Sequence, residues 1–112
     1  MTIVFYPTSN LYFDIGNWDV SNVTSFSRIF EGVNQFNQDI SNWDVSSVTN
    51  MGYMFSGWDQ LFTDENYMFF NQNLSSWNVN NVSQCQSFCS GYSDWTEPKP
   101  NFTNCSEDTV CN

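Results

Sequence analysis

The sequence contains no histidine and only two basic residues, Arg28 and Lys99, against twelve acidic ones. The lack of histidine excludes His-based catalytic triads, proton shuttles and zinc sites. The lack of a basic surface excludes a nucleic-acid-binding protein, because neutralising phosphates requires a basic face, and it argues against docking on anionic lipid. No run of residues approaches the roughly 18–20 apolar residues of a membrane-spanning helix. We therefore expect neither an enzyme nor a nucleic-acid-binding or membrane-inserted protein.

The 112 residues are enough for one domain, in which the aromatic residues, 19% of the chain, must fill a thin core. All four cysteines lie in the last quarter of the sequence, and their spacings lack the C-x2-C knuckles of a zinc site. They therefore predict two disulfides, and with them an extracellular location, either secreted or at a cell surface. The cysteines are Cys85, Cys89, Cys105 and Cys111.

An internal repeat is the strongest pattern in the chain. Its three copies run from Leu11 to Phe30, from Phe36 to Phe55 and from Phe70 to Cys89. The second copy follows the first after 25 residues and the third follows the second after 34, so about nine residues are inserted before the third. A repeat of this period predicts units that cannot bury their apolar side alone and must stack on one another.

One copy shows which residues face inward. Ile15, Trp18, Val20 and Val23 have the spacing of a leucine-rich-repeat strand and its turn. The following residues 26, 29 and 30 are apolar at i, i+3 and i+4, which predicts one face of a short helix. The residues expected to cap these helices are Thr24, Thr49 and Ser83. The sequence thus predicts an α/β solenoid: a short leucine-rich-repeat-like stack of parallel strands and short helices, with a buried column of Trp18, Trp43 and Trp77 and a disulfide-capped C-terminus.

The string FNQDISNWDVSSVTNMGYMF (36–55) resembles the repeats of the BspA-like leucine-rich-repeat surface proteins, which are common in mycoplasma lipoproteins and in secreted proteins of protists, algae and large viruses. The resemblance covers roughly residues 11–91. It implies a curved repeat array at a cell surface, used for adhesion or assembly, and no catalytic residues. The inserted residues and the cysteines in core positions depart from the family pattern.

The copies divide the chain into five parts. A partial N-terminal repeat spans 1–10, repeat 1 spans 11–35, and repeat 2 spans 36–69 with an insertion at 58–69. Repeat 3 spans 70–91, and a C-terminal cysteine cap spans 92–112. Because Met1 and Phe5 match the helix residues of a preceding repeat, we expect either a longer repeat array or completion by another molecule.

Acidic residues form two rows at equivalent positions of successive copies. One row is Asp19 and Asp44 followed by Asn78, and the other is Asp14 and Asp39 followed by Asn73. In-register strands would bring neighbours within a row to about 4.8 Å. Three interpretations remain open: a ladder of turn hydrogen bonds, which we favour, a calcium site, and a carboxylate pair for catalysis. We expect no cofactor other than calcium.

Two further groups of residues are candidates for surface roles. Loops on a rigid scaffold often carry function, so the aromatic insertion and the N-terminal half-repeat are candidate interfaces, at Trp58, Leu61, Phe62, Tyr67, Met68, Met1 and Phe5. A folded-back loop that packs on the core is the equal alternative for the insertion. Five N-x-S/T sequons are candidate glycosylation sites, at Asn22, Asn73, Asn81, Asn101 and Asn104.

The cysteine cap has a favoured pairing. Cys85 and Cys89 are four residues apart on the predicted helix and should point the same way, towards the tail. We favour Cys85 with Cys105 and Cys89 with Cys111, and the crossed pairing is the alternative. For the whole chain, two functions remain open. One is an extracellular structural module that builds a fibre, coat or matrix by self-association, and the other is an adhesion module for a protein or glycan.

Overall fold

The computed structural model describes residues 14–33, 36–56, 70–89, 95–106 and 110–111. The three sequence copies form layer 1 (14–33), layer 2 (36–56) and layer 3 (70–89), which stack on one another. Within these segments there is no helix and no extended strand. The strand-like pairing described is limited to two isolated parallel bridges, Ser25 with Asn50 and Asn50 with Gln84. Each layer is a succession of tight turns.

The predicted α/β solenoid of parallel strands and short helices is therefore wrong. In the first half of layer 1, where a strand was expected, Trp18 N donates to Ile15 O at 3.0 Å and Val23 N donates to Val20 O at 2.9 Å. These are two consecutive β-turns. Layers 2 and 3 repeat both turns at the equivalent positions. The inward spacing was read correctly, but turns rather than a strand produce it.

The second half of each layer is also turned rather than helical. Ile29 N donates to Phe26 O at 3.2 Å across a turn whose third residue, Arg28, has a φ of 63°. Tyr53 and Ser87 take the same left-handed conformation at the equivalent positions, with φ of 58° and 54°. A left-handed residue interrupts a right-handed helix, so the helical prediction fails at the same place in every layer.

The amides that a helix would have used internally bond to the next layer instead. Phe26 N donates to Asn50 O at 2.9 Å and Phe30 N to Met54 O at 3.0 Å. The predicted helix caps are likewise wrong, because the capping residues also bond between layers. Thr49 N and Thr49 Oγ1 both donate to Thr24 O, at 2.8 and 3.2 Å, and Ser83 N donates to Thr49 O at 2.9 Å.

The core lies between the two halves of each layer and runs through all three layers. Phenylalanine rings of successive layers stack, with centroids 5.4 Å apart for Phe30 and Phe55 and 5.5 Å apart for Phe36 and Phe70. The predicted inward residues of the first two turns are buried, with the exception of one tryptophan. The fully buried members are Ile15, Val23, Ile40, Val48, Leu74 and Val82.

The tryptophans tie each layer to the one before it. Trp43 and Trp77 are both 4% exposed. Trp43 Nε1 donates to Ile15 O at 3.0 Å, and Trp77 Nε1 donates to Ile40 O at 3.1 Å. Trp18 is 39% exposed, so the prediction that all three tryptophans are buried is wrong for Trp18. The ring of Trp43 stacks on Phe26, with centroids 5.3 Å apart.

The tail segment (95–106) continues the stack as half of a fourth layer. Its sequence PNFTNCS (100–106) follows WNVNNVS (77–83) position by position, and buried and exposed residues alternate in the same order up to Asn104. Asn81 Nδ2 donates to Ser46 O, and Asn104 Nδ2 donates to Asn80 O, the equivalent bond one layer further on. The predicted C-terminal cysteine cap (92–112) therefore contains a half-layer that the sequence pattern did not reveal.

Two disulfides join layer 3 to the tail, and they follow the favoured pairing: Cys85 with Cys105 and Cys89 with Cys111. Cys105 occupies the position that Val82 has in layer 3, which places it beside the inward position of Cys85. Cys89 N also donates to Val110 O at 2.8 Å. The last face of the stack is therefore covered by the chain itself.

Candidate functional site

The exposed turns carry a repeated pattern of carboxylate hydrogen bonds. Asp39 Oδ1 accepts from Ser41 N at 3.0 Å and from Ser41 Oγ at 2.6 Å. The same arrangement joins Asp19 to Ser21, and Asp44 to Ser46. Asp14 Oδ1 accepts from Gly16 N at 2.9 Å. Each acidic side chain thus closes a turn with the residue two positions later, as Asp and Asn commonly do.

Layer 3 makes the same turns without charge. Asn73 Oδ1 accepts from Ser75 N at 3.0 Å and from Ser75 Oγ at 2.7 Å. Asn78 Oδ1 accepts from Asn80 N at 3.1 Å. Because an amide oxygen replaces a carboxylate oxygen in both rows, the rows need only an acceptor at these positions. The negative charge of the aspartates in layers 1 and 2 is therefore not required to form the turns.

The turn bonds stabilise the ionised carboxylates. The Ser41 hydroxyl, followed by the Ser41 amide, lowers the pKa of Asp39 below its ordinary value. Ser21 lowers the pKa of Asp19 in the same way. Ser46 lowers the pKa of Asp44, although the neighbouring charge of Asp19 raises that pKa. The two carboxylates of this row, in successive layers, are therefore close enough to repel one another.

The rows do not assemble a metal cage. Within the described segments, no group of three or more His, Cys, Asp or Glu residues is arranged to hold a metal ion. Every carboxylate described in the rows accepts a local bond, and all four lie exposed on separate turns. The residues predicted as candidate cation ligands each accept a turn hydrogen bond instead: Asp19, Asp44, Asp14 and Asp39. The observed geometry is that of a ladder of turn hydrogen bonds.

Substitution at Asp39 should separate the turn bond from the charge. Asp39→Asn keeps the acceptor but loses the charge and should cost less stability at neutral pH than Asp39→Ala, which should cost about 0.5–1 kcal/mol, the lower part of the range for a hydrogen bond because the group is exposed. Since the folded pKa of Asp39 is lowered, its charge contributes stability above about pH 4, and this contribution is lost as the pH falls through the folded value.

Urea denaturation between pH 2 and pH 7 measures this difference. The native chain should lose more stability on acidification than Asp39→Asn does. Equal acid sensitivity of the two proteins would show that the Asp39–Ser41 bonds do not couple to folding.

Layer 1 differs from layers 2 and 3 in the exposure of its tryptophan. Trp18 occupies the position at which Trp43 and Trp77 reach back to the preceding layer, yet it is 39% exposed where they are 4% exposed. Asn22, at the position of Asn81, is also exposed. We call this surface the Trp18 face. It consists of Trp18, Asn22 and Thr24, which have equivalents in other layers that make interlayer bonds.

The tail surrounds a shallow cleft of about 370 Å³, lined by Lys99, Pro100, Phe102, Val110 and Cys111. Lys99 Nζ donates to Trp95 O at 3.2 Å and lies 5.2 Å from the centre of the Trp95 ring. The amine of Lys99 is thus used to hold the tail. Among the described residues that line the cleft, none pairs a nucleophile with a base.

The predicted surface residues have different outcomes. The five sequon asparagines are all exposed. The candidate interface residues lie outside the described segments: Trp58, Leu61, Phe62, Tyr67, Met68, Met1 and Phe5. The pattern that would have revealed the fourth half-layer was present in the sequence, but Pro100 and Cys105 in place of Trp and Val concealed it.

No helix in the described part of the chain has the length and apolar character needed to cross a membrane. Comparisons with curated proteins and with solved structures find no match to this chain. The repeat pattern itself is shared with a known family, whose profile matches residues 1–109 and so takes in all three layers and the tail segment. The chain therefore belongs to the family described as Mycoplasma protein of unknown function, DUF285.

Proposed function

We propose that this chain is an extracellular structural module that builds a fibre, coat or matrix through protein–protein contacts at the Trp18 face. The observation that carries the proposal is the exposure of Trp18 at a position that the other layers bury. A tryptophan of this kind contributes much of the energy of a contact when a partner covers it. The proposed role includes no catalysis and no cofactor.

The chemistry of the Trp18 face favours another layer of the same kind as its partner. In layers 2 and 3, the equivalent tryptophan and the equivalent threonine or serine bond to the backbone of the preceding layer, for example Trp43 Nε1 to Ile15 O. In layer 3 the equivalent asparagine does so as well, with Asn81 Nδ2 donating to Ser46 O. A preceding repeat, from a longer array or from a second copy, would offer the same carbonyl groups. Self-association is therefore the contact that this face fits best.

The end of the stack beyond layer 3 does not offer an equivalent contact. Leu74 N donates to Pro98 O at 2.9 Å and Cys89 N donates to Val110 O at 2.8 Å, so layer 3 already has a neighbour. The net charge of −10 opposes contact between copies. Salt screens such repulsion, and a saline exterior would therefore favour assembly.

The finer family relationship is part of this proposal. The FNQDIS and WDVS-VTNM strings support a surface repeat protein of the BspA-like kind, and the two disulfides support an oxidising, extracellular setting. The leucine-rich-repeat fold is not part of it, because the layers consist of turns.

Trp18→Ala should abolish salt-promoted self-association while leaving the fold intact. Sedimentation velocity at low and at physiological salt would measure the association, and near-ultraviolet circular dichroism would report the buried tryptophans. A chain lacking residues 60–67 tests the insertion as the alternative contact. Native protein that remains monomeric at high concentration and physiological salt would contradict the assembly role.

Adhesion or ligand binding is the alternative, and the observation that favours it is the exposure of both acidic rows. Asp14, Asp19, Asp39 and Asp44 form no ion pair among the described residues, where the salt bridge found joins Arg28 and Glu31. Calcium-dependent retention of a protein or glycan by a monomeric chain, unaffected by Trp18→Ala, would support this function over assembly.

A further inference from the structure

Each interface inside the stack uses carbonyl groups of one layer as acceptors for the next layer. The donors are a tryptophan indole, a threonine or serine backbone amide and, between layers 2 and 3, an asparagine side-chain amide. In layer 3, the carbonyls at the same three positions belong to Leu74, Asn80 and Ser83. The bonds that define these positions are Trp43 Nε1 to Ile15 O at 3.0 Å, Asn81 Nδ2 to Ser46 O at 2.7 Å and Thr49 N to Thr24 O at 2.8 Å.

The tail segment supplies a donor to one of these three carbonyls of layer 3. Asn104 Nδ2 donates to Asn80 O. Pro100 stands at the tryptophan position of the half-layer and has no donor, so within the described segments Leu74 O accepts only the bond of its own turn. Ser83 O accepts no hydrogen bond in the part of the chain that the structure describes. The tail segment is therefore an incomplete copy of a layer.

The three residues of the Trp18 face hold the positions from which other layers donate to all three kinds of carbonyl. We propose that the face of layer 3 beneath the tail segment is the docking surface for the Trp18 face of a second copy, and that the tail segment competes with this copy for it. The inference rests on the proposed function, because it names the surface that the Trp18 face contacts. Docking requires the tail segment to lift away from layer 3.

The docked copy extends the stack in its own register and makes three bonds where the tail segment makes one. Such a head-to-tail contact does not close on itself, so each added copy brings a further layer 3 and the assembly can grow as a fibre. The new bonds run from Trp18 Nε1 to Leu74 O, from Asn22 Nδ2 to Asn80 O and from Thr24 N to Ser83 O.

The tail segment is held on layer 3 at both of its ends. Asn71 Oδ1 accepts from Thr96 N and from Glu97 N, both at 2.8 Å. At the other end, Cys105 is bonded to Cys85. Because the apparent affinity of a contact falls in proportion to the fraction of molecules that are open to it, these bonds confine association of the native chain to high protein concentration.

Two double variants test whether the tail segment limits association. Cys85→Ser with Cys105→Ser releases the half-layer, whereas Cys89→Ser with Cys111→Ser removes the other disulfide and leaves the half-layer anchored at Cys105. In sedimentation velocity at physiological salt, the first variant should associate at a concentration roughly tenfold lower than the native chain, since more of its molecules are open. The second variant should differ little from the native chain. Near-ultraviolet circular dichroism would report the buried tryptophans in both.

Asn71→Ala provides a second measurement that leaves both disulfides in place. It removes the acceptor of Thr96 N and Glu97 N, and should shift association in the same direction by a smaller factor. The matched control is Asn101→Ala, at an exposed tail residue that makes no hydrogen bond among the described residues, and it should leave association unchanged.

A mixing experiment identifies the two surfaces that meet. The triple variant Trp18→Ala, Cys85→Ser, Cys105→Ser has an open layer 3 but no Trp18, and should stay monomeric alone. Mixed with the native chain, at a concentration where the native chain is also monomeric, it should form a one-to-one complex. Absence of this complex would overturn the proposal, because the contact would then join two Trp18 faces.

The remaining outcomes separate this proposal from the assembly role. Association of the native chain through Trp18 that is not strengthened by releasing the tail segment would overturn the proposal and leave the assembly role in place. Association that is lost on release would show that the tail segment itself is the partner, and would also overturn it. Absence of association in the native chain and in every variant would contradict both.

Discussion

Replacing Trp43 by alanine should lower the free energy of unfolding by roughly 3–5 kcal/mol, the cost typical of a large core aromatic. The side chain is 4% exposed and its ring lies 5.3 Å from that of Phe26 and 6.3 Å from that of Phe30. Its truncation leaves a cavity between layers 1 and 2 and deprives Ile15 O of its indole donor. Chemical denaturation, followed by fluorescence, measures the loss.

Two further variants separate the contributions. Trp43→Phe keeps an aromatic ring but removes the bond to Ile15 O, and should therefore cost less than Trp43→Ala. Trp18→Ala, at the equivalent but exposed position, should cost well under half as much. If Trp18→Ala and Trp43→Ala were equally destabilising, the burial difference between the two layers would not describe the protein in solution.

Loss of both disulfides should remove a large part of the stability of the stack. The bonds span sequence separations of 20 and 22 residues, and a loop of that length is worth about 3 kcal/mol by the chain-entropy account. Together they are worth about 6 kcal/mol, which lies within the 5–15 kcal/mol expected for the stability of a whole domain. Because both bonds join layer 3 to the tail, the tail and layer 3 should open before the contact between layers 1 and 2.

Hydrogen exchange on the reduced protein measures this order. Cys89 N and Leu74 N, which donate to the tail, should lose protection first, while Phe26 N and Phe30 N, which donate to layer 2, should keep it longer. The double variant Cys89→Ser, Cys111→Ser retains the Cys85–Cys105 bond and should lie between the native and reduced proteins. Uniform loss of protection across all layers would contradict sequential opening.

The sequence predicts which residues lie inside better than it predicts the backbone. Ile15, Val23 and Phe30 are buried as the repeat spacing indicated, because stacking copies must share an apolar side whatever their secondary structure. The helix was wrong because Phe26, Ile29 and Phe30 have a spacing that both a helix and a turn can satisfy. The deciding fact is the left-handed φ of Arg28, a residue type that gives no sign of that conformation.

The candidate site could be predicted in part. Asp39 and Ser41 are two positions apart, so a local turn bond was foreseeable from the pair alone. The exposure of Trp18 was not foreseeable, because its sequence context matches that of Trp43 and only the environment differs. Asn104 illustrates the same limit: its bond to Asn80 O becomes visible only when the tail is known to stack.

The bonds between layers have a consequence for how the gene can vary. Thr49 N reaches Thr24 O at 2.8 Å across 25 residues, and Ser83 N reaches Thr49 O at 2.9 Å across 34. The register of the interlayer bonds is therefore the same for connections of these two different lengths. The connection between layers 2 and 3 is nine residues longer than that between layers 1 and 2, yet the same bonds form at both interfaces, so a change of loop length in the gene need not disturb the stack.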